Sequence, residues 1–193
     1  MLDESLKKLG YTTKRIDYGF IDPELLKEEA VQFETGDDHS PEHFRYRRFL
    51  SKLKSRPSLS GEDIDHYIEL AEEDPDRAMA VSALGELARW LYLDQSACEM
   101  LSAHSAFQNV WLRRTLMRGK VARELRSSSL TPEGADFYIA AGDPEVQRAL
   151  LDRWELSRDQ LERLRDHGSN RAVRNMAKDK LRSGAKSASD QRP

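Results

Sequence analysis

Few residues of this sequence are of types that could form a catalytic or metal site, and their spacing does not favour one. Four neighbouring side chains are of metal-ligating types: Asp63, Asp65, His66 and Glu69. Asp65 and Glu69 share a helix face, but a di-metal bundle also needs Glu-x-x-His on two helices, and no such pair is present. Cys98 and His104 could act as nucleophile and base, but their spacing puts them about 240° apart around a helix. With no Gly-x-Ser-x-Gly, phosphate loop or His-Glu-x-x-His, we predict no catalytic residue, metal or cofactor.

Residues 41–56 carry basic side chains among aromatic ones. Four of them form one stripe at helical spacing: Arg45, Arg48, Lys52 and Arg56. Such a stripe can bind a phosphate backbone and its bases, or an acidic protein surface. An acidic stripe follows at the same spacing, and no Lys or Arg interrupts residues 57–76: Glu62, Asp65, Glu69, Glu72 and Asp76. Adjacent antiparallel helices could let the stripes neutralise each other. Neutralisation, a partner-binding patch and a nucleic-acid site all stay open.

A second basic segment spans residues 113–126 and includes only one acidic residue, Glu124. Its basic residues are Arg113, Arg114, Arg118, Lys120, Arg123 and Arg126. If the basic stripe and the acidic stripe neutralise each other, the positive charge of residues 113–126 remains available to bind an acidic partner. We expect Arg118 and Arg126 to be the main contacts, because the buried side of this helix is assigned to its apolar residues. Arg113 and Arg114 are further candidates.

The elements that must position these residues are helices. Five prolines follow a good N-cap residue: Asp22-Pro23, Ser40-Pro41, Asp74-Pro75, Thr131-Pro132 and Asp143-Pro144. Further caps are expected at Ser60, Asp94, Ser157 and Ser169. Apolar residues recur at i, i+3, i+4 and i+7, and no hairpin signal is present. The sequence predicts an all-α protein with helices near 2–9, 23–34, 41–55, 61–73, 75–92, 95–104, 107–125, 132–141, 144–153, 158–167 and 170–182.

Composition and charge favour a soluble, folded protein. The chain has 193 residues with 31 basic and 34 acidic side chains, so its formal charge of −3 does not suggest bulk electrostatic binding to nucleic acid or membranes. No stretch approaches the roughly 20 apolar residues that span a bilayer. The acidic N-terminus does not resemble a signal peptide, and a lone Cys98 favours a reducing compartment. We therefore expect a cytoplasmic protein that makes no membrane contact.

An internal repeat of 26 residues relates two segments near the C-terminal end. Leu130-Thr131 matches Leu156-Ser157, Gly142 matches Gly168, and Arg148 matches Arg174; Val146 matches Val173 only with one insertion. Fainter copies begin at Leu59-Ser60 and Leu93-Asp94. The pattern resembles the leucine-rich repeat variant and, more loosely, HEAT-like α-solenoids. The resemblance implies stacked helical hairpins over 57–182. Residues 1–56 fall outside it and are expected to form an N-terminal helical cap, and the Ser-, Ala- and Lys-rich residues 183–193 are expected to be a disordered tail.

The same resemblance implies a binding role, because such solenoids mostly bind proteins or nucleic acids. We expect a non-enzymatic adaptor, inhibitor or immunity-type protein with an acidic partner, and nucleic-acid binding through 41–56 and 113–126 as the alternative. Arg148 and Arg174 could contact phosphates, or could brace the preceding turn by bonding Asp143 or a helix-end carbonyl. Trp90, Trp111 and Trp154 are expected to pack in the core or between repeats, and one exposed on the concave side of the solenoid would be a candidate binding hot spot.

Overall fold

The computed structural model describes residues 2–55 and 58–189, and within these ranges it contains helices and no strand. The α-helices are α1 (Leu2–Leu9), α2 (Lys14–Asp17), α3 (Pro23–Thr35), α4 (Pro41–Lys54), α5 (Gly61–Glu72), α6 (Arg77–Arg89), α7 (Gln95–Ala103), α8 (Val110–Ser127), α9 (Pro132–Ala141), α10 (Pro144–Arg153), α11 (Arg158–His167) and α12 (Arg171–Ser189). A 3-10 helix spans Ser105–Gln108. The all-α prediction is confirmed. No helix in the described part of the chain is both long and apolar enough to cross a membrane.

Most helix starts lie where the cap signals predict them. The side chains of Asp22, Asp94, Thr131 and Asp143 accept bonds from first-turn N–H groups. Ser60 and Ser157 form capping boxes, with Asp63 and Gln160 as the returning side chains. Because each accepts orphan donors, these caps fix where the helices begin. Ser40 occupies its cap position without a side-chain bond.

Two predicted caps are wrong. Asp76, not Asp74, caps α6 by accepting from the Met79 N–H at 2.8 Å, so Pro75 precedes the helix. Asp74 is instead buried and bonded to arginines. At α12 the cap is Asn170, whose Oδ1 accepts from the Val173 N–H at 3.0 Å. The one-residue insertion in the repeat places the cap there.

The chain divides into two compact units, residues 1–116 and 117–193, and the division falls within α8. The division predicted at residues 56 and 57 falls inside the first unit. In the first unit, α4 to α8 enclose an apolar core centred on Phe49, Tyr67 and Leu87, and a separate cluster around Leu9, Leu26 and Phe44 packs α1 and α3 against α4.

In the second unit, α9 packs on α10 and α11 on α12, while α9 also contacts α11 and α10 contacts α12. Leu150, Leu164 and Val173 are fully buried in its core. Helix α12 continues to Ser189, seven residues past the predicted end at 182. The rest of the predicted tail, residues 190–193, lies outside the described residues.

Candidate interaction surface

The basic stripe of residues 41–56 is mostly not a free surface: Arg45 and Lys52 are buried, and Arg48 is partly exposed. Arg45 is 4% exposed; its Nε donates to Asp74 Oδ2 at 2.8 Å and its Nη1 to the Leu9 carbonyl at 2.9 Å.

Lys52 is 5% exposed and its Nζ lies 3.1 Å from Asp63 Oδ1. Arg48 pairs with the buried Glu29. Buried charges need partners, and these hold the unit together. Arg56 lies outside the described residues.

The acidic stripe is not what neutralises these cations. Their partners are instead the buried Glu29 and Asp74 and the partly exposed Asp63, of which only Asp63 and Asp74 lie in the segment that follows α4. Of the stripe itself, Glu69 accepts from Lys14 Nζ at 2.6 Å and from the Tyr18 hydroxyl at 2.9 Å, and these bonds lower the pKa of Glu69. Periodicity correctly indicates two charged faces, but it does not identify the pairs.

The second basic segment divides into a paired and an exposed part. Arg118 makes a two-pronged contact with Asp143, with Nη2 at 2.9 Å from Oδ2, and its Nη1 lies 2.8 Å from Glu145 Oε2. Burial alone would raise the pKa of Asp143, but Arg118 and the first-turn N–H groups of α10 lower it. Arg118 thus braces the start of α10 and is a poor contact for a partner. Arg113, Arg114 and Arg126 are exposed.

The two arginines at matching repeat positions have different environments. Arg174 donates from Nη1 to the Gly168 carbonyl at 2.7 Å, which confirms that it braces the preceding turn. Arg148 is exposed on α10, and the bond to Asp143 that was expected of it is made by Arg118. The equivalence in sequence therefore does not extend to the contacts.

The metal-ligating and nucleophilic candidates are not assembled into a site. Within the described ranges, no three His, Cys, Asp or Glu side chains are placed to hold a metal ion. Asp63 serves the α5 capping box, and the His66 ring stacks on Tyr18 with ring centroids 3.6 Å apart. Cys98 is a buried cysteine of α7 that forms no disulfide.

Exposed apolar side chains mark a different surface, which the basic stripes do not predict. Leu91 is 45% exposed, Tyr92 54% and Trp111 45%, whereas Trp90 and Trp154 pack against the two cores. Isolated exposed apolar residues are ordinary, but a contiguous group with a groove marks an interaction site. These residues adjoin such a groove.

The groove lies between the C-terminal ends of α4 and α6, entirely within the first unit. Its volume is about 680 Å³, and it is lined by Leu50, Leu53, Lys54, Ser55, Glu86, Arg89, Trp90, Leu91 and Tyr92. The Trp90 and Tyr92 rings meet edge to face with centroids 5.6 Å apart, and Leu93 is buried beside them. The core thereby anchors the segment that presents Leu91 and Tyr92.

Trp111 adjoins this groove through Arg89 and is seated on Gly85. A Cβ at Gly85 would lie 2.5 Å from Cη2 of Trp111, so only glycine lets the indole approach α6. The Arg89 guanidinium carbon lies 5.9 Å from the centre of the Trp111 ring, and Arg89 also pairs with Glu86. We refer to the groove and Trp111 together as the Trp111 surface.

Sequence reasoning missed this surface, although one signal was available. Gly85 interrupts the periodic pattern of α6, where glycine costs about 1 kcal/mol relative to alanine, and such a glycine usually has a packing reason. No sequence rule, however, pairs Gly85 with Trp111, which lies 26 residues further along.

Comparisons of the chain with protein-family models, with curated proteins and with solved structures each found no match.

Proposed function

We propose that the protein is a non-enzymatic protein-interaction module that binds another protein through the Trp111 surface. The observation that carries the proposal is the exposed Trp111, seated on Gly85 beside Arg89 and next to the apolar groove. Trp, Tyr and Arg are the residue types most enriched among binding hot spots, and hot spots lie in or beside well-packed pockets. Folding alone gives no reason to leave Trp111, Leu91 and Tyr92 in water, because their burial would be favourable.

A protein partner fits these observations better than nucleic acid does. The nucleic-acid alternative uses the basic segments 41–56 and 113–126, but Arg45 and Lys52 of the first are buried and bonded and Arg118 of the second is paired with Asp143. The groove floor offers aliphatic and aromatic side chains rather than a row of cations that follows a phosphate backbone. We also propose a reducing compartment such as the cytoplasm, for which the buried Cys98, which forms no disulfide, is the support.

We further propose that α9–α10 and α11–α12 are two copies of one helical-hairpin repeat, as the resemblance to leucine-rich repeat variants and HEAT-like solenoids implies. Thr131 and Ser157, 26 residues apart, both cap the first helix of a pair. Gln160 Nε2 donates to the Pro132 carbonyl at 3.2 Å, which joins the second pair to the first. Duplicating residues 131–156 in the chain should give a longer protein that still unfolds cooperatively. Aggregation or loss of helix content would contradict the repeat.

The binding function is tested by selecting binders from a displayed library of random 16-residue peptides on the intact protein. The selected peptides should bind the wild type, and their affinity for the Leu91→Asp and Trp111→Ala variants should be at least tenfold lower, as is usual when a hot-spot residue is replaced. Phe137→Asp is the matched control, because Phe137 is also an aromatic side chain that is 65% exposed but lies in the second unit. Binders unaffected by Leu91→Asp and Trp111→Ala, or none at all, would refute the proposal.

Gly85→Ala gives an independent test that keeps the tryptophan. The added methyl group must displace the indole from α6, while alanine itself favours the helix. Circular dichroism should show an unchanged helix content, and the affinity for the selected peptides should fall.

A further inference from the structure

We infer that the Trp111 surface takes an acidic amphipathic segment of its partner, with apolar side chains in the groove and carboxylates on the cations around it. The inference rests on the proposed function and adds the chemistry of the partner. It draws on the distribution of charge around the groove and near the start of α8.

The apolar part of the ligand is set by the groove. Leu50, Leu53, Trp90, Leu91 and Tyr92 supply most of its lining, and Leu91 and Tyr92 stay about half exposed. Aliphatic or aromatic side chains entering the groove would bury these surfaces. Each such contact gains from the area removed from water, at about 25 cal/mol per Å².

The acidic part of the ligand is set by the cations beside the apolar residues. Lys54 is exposed at the end of α4 and Arg114 is exposed on α8, and within the described part of the chain neither takes part in an ion pair. Arg89 is half exposed between the groove and Trp111. The one carboxylate in the groove lining, Glu86, is already engaged by Arg89 and by the Tyr46 hydroxyl at 3.2 Å.

Two exposed arginines lie near the start of α8. A helix N-terminus favours acidic side chains, yet the first turn of α8 has no acidic residue, and the fourth and fifth residues of the helix are Arg113 and Arg114. Arg114 follows Trp111 by three residues and lies on the same side of the helix, whereas Arg113 lies on the opposite flank, with the buried Leu112 and Thr115 on the face between. A cation at Arg114, close to the positive end of the helix dipole, is explained if a partner's carboxylate meets it beside Trp111.

The difference between Arg114 and Arg113 supplies a matched pair of variants. Arg114→Glu and Arg113→Glu make the same change in net charge on the same helix turn, both at exposed positions. Only Arg114 shares its side of the helix with Trp111. General electrostatic attraction predicts equal effects of the two substitutions, whereas a carboxylate bound at the Trp111 surface predicts unequal ones.

The test uses the peptides whose binding depends on Trp111 and Leu91. We expect them to carry Asp or Glu next to an aromatic or aliphatic anchor. Their labelled forms, measured by fluorescence anisotropy at low salt, should bind at least tenfold more weakly when their acidic residues are replaced by lysine. Arg114→Glu should weaken the acidic peptides about tenfold and Arg113→Glu less than threefold. The Arg114 effect should shrink as salt is raised.

The outcomes separate the partner chemistry from the function. Two results would overturn this inference and leave the proposed function standing. The Trp111-dependent peptides could be neutral or basic, or their affinity could fall equally in Arg113→Glu and Arg114→Glu. Displacement of the peptides by a 20-residue thymidine oligonucleotide, with the same dependence on Arg114, would also overturn it and assign nucleic acid. The absence of any Trp111-dependent peptide overturns both.

Discussion

The two units bury different kinds of polar contact. In the first unit the most deeply buried contacts between helices are ion pairs: Asp74, with its side chain fully buried, accepts from Arg45 and from Arg15 Nη2 at 2.8 Å. In the second unit, two neutral amides join helices. Gln147 Nε2 donates to the Ile139 carbonyl at 2.8 Å while its Oε1 accepts from the Ser169 N–H at 2.9 Å, and Gln160 joins α11 to α9.

The difference determines how much stability each unit loses when one of these contacts is removed. Asp74 holds two guanidinium groups, so the three side chains carry a net positive charge in the interior. Burial lowers the pKa of Arg15, and its guanidinium carbon lies 4.8 Å from the Phe49 ring and 5.1 Å from the Tyr11 ring, which stabilise the cation. Removing one partner of a buried ion pair leaves an uncompensated charge, whereas removing an amide leaves only unsatisfied dipoles.

The largest expected effect is that of Asp74→Asn. It leaves Arg15 and Arg45 buried without an anion, so the first unit should lose about 3–5 kcal/mol of stability. Hydrogen exchange read by mass spectrometry should show faster exchange across residues 2–55 and 58–116 and unchanged exchange from 117 onward. Glu73→Gln is the control: Glu73 pairs with Lys14 at the surface and should contribute less than about 1 kcal/mol. A loss shared equally by both units would contradict the comparison.

A smaller effect is expected from Gln147→Leu in the second unit. The substitution keeps the side-chain volume but leaves the Ser169 N–H without its partner and the Ile139 carbonyl with the Gly142 N–H at 3.3 Å as its remaining donor, at a cost of about 1–3 kcal/mol. Urea denaturation should show this loss, and the Ser169 amide should lose its protection from exchange. A loss as large as that of Asp74→Asn would remove the distinction between charged and neutral contacts.

The same contacts show how far sequence reasoning reaches. Caps and prolines are local signals, which is why the predicted bounds of α9, α10 and α11 coincide with those observed. Asp74 has the same local signal as Asp143, an Asp before Pro and an acidic residue, yet it became the buried anion because Arg15 and Arg45 approach it from distant segments. Local spacing carries no information on those approaches.

The candidate site was less predictable than the fold for the same reason. The charge pattern predicts a contact surface that includes Arg45 and Lys52, but both are buried, and their burial depends on which helices pack over them. An exposed Trp111 had been named as a conditional hot spot, but exposure is a property of the packed structure. Of the predicted set, only Arg114 lies beside Trp111 in the proposed surface.

Acid should reveal another charged contact of the first unit. Burial alone would raise the pKa of Asp63, but hydrogen bonds from Ser60 and Lys52 lower it to about 2. A carboxyl group whose pKa is lowered by folding stabilises the folded state at pH values above its pKa in the unfolded chain, about 3.9. This contribution to stability is lost as the pH falls through the folded-state pKa of about 2. Asp63→Asn should therefore reduce the decline of stability between about pH 4 and 2 in the first unit. Pepsin cleavage rates, assigned to fragments by mass spectrometry, measure this; an unchanged decline would contradict it.

The smallest effect compares two arginines of the second unit. Arg118 binds the buried Asp143 with two prongs, but its side chain is 34% exposed and Asp143 also accepts from the Glu145 and Val146 N–H groups. Water and these amides compensate in part, so Arg118→Ala should cost only about 1 kcal/mol. Arg148, at the repeat position expected to make this bond, is exposed on α10. Arg148→Ala should therefore change stability by less than about 0.5 kcal/mol. Thermal denaturation of the two variants measures the difference, and equal losses would mean that Arg148 takes part in bracing Asp143.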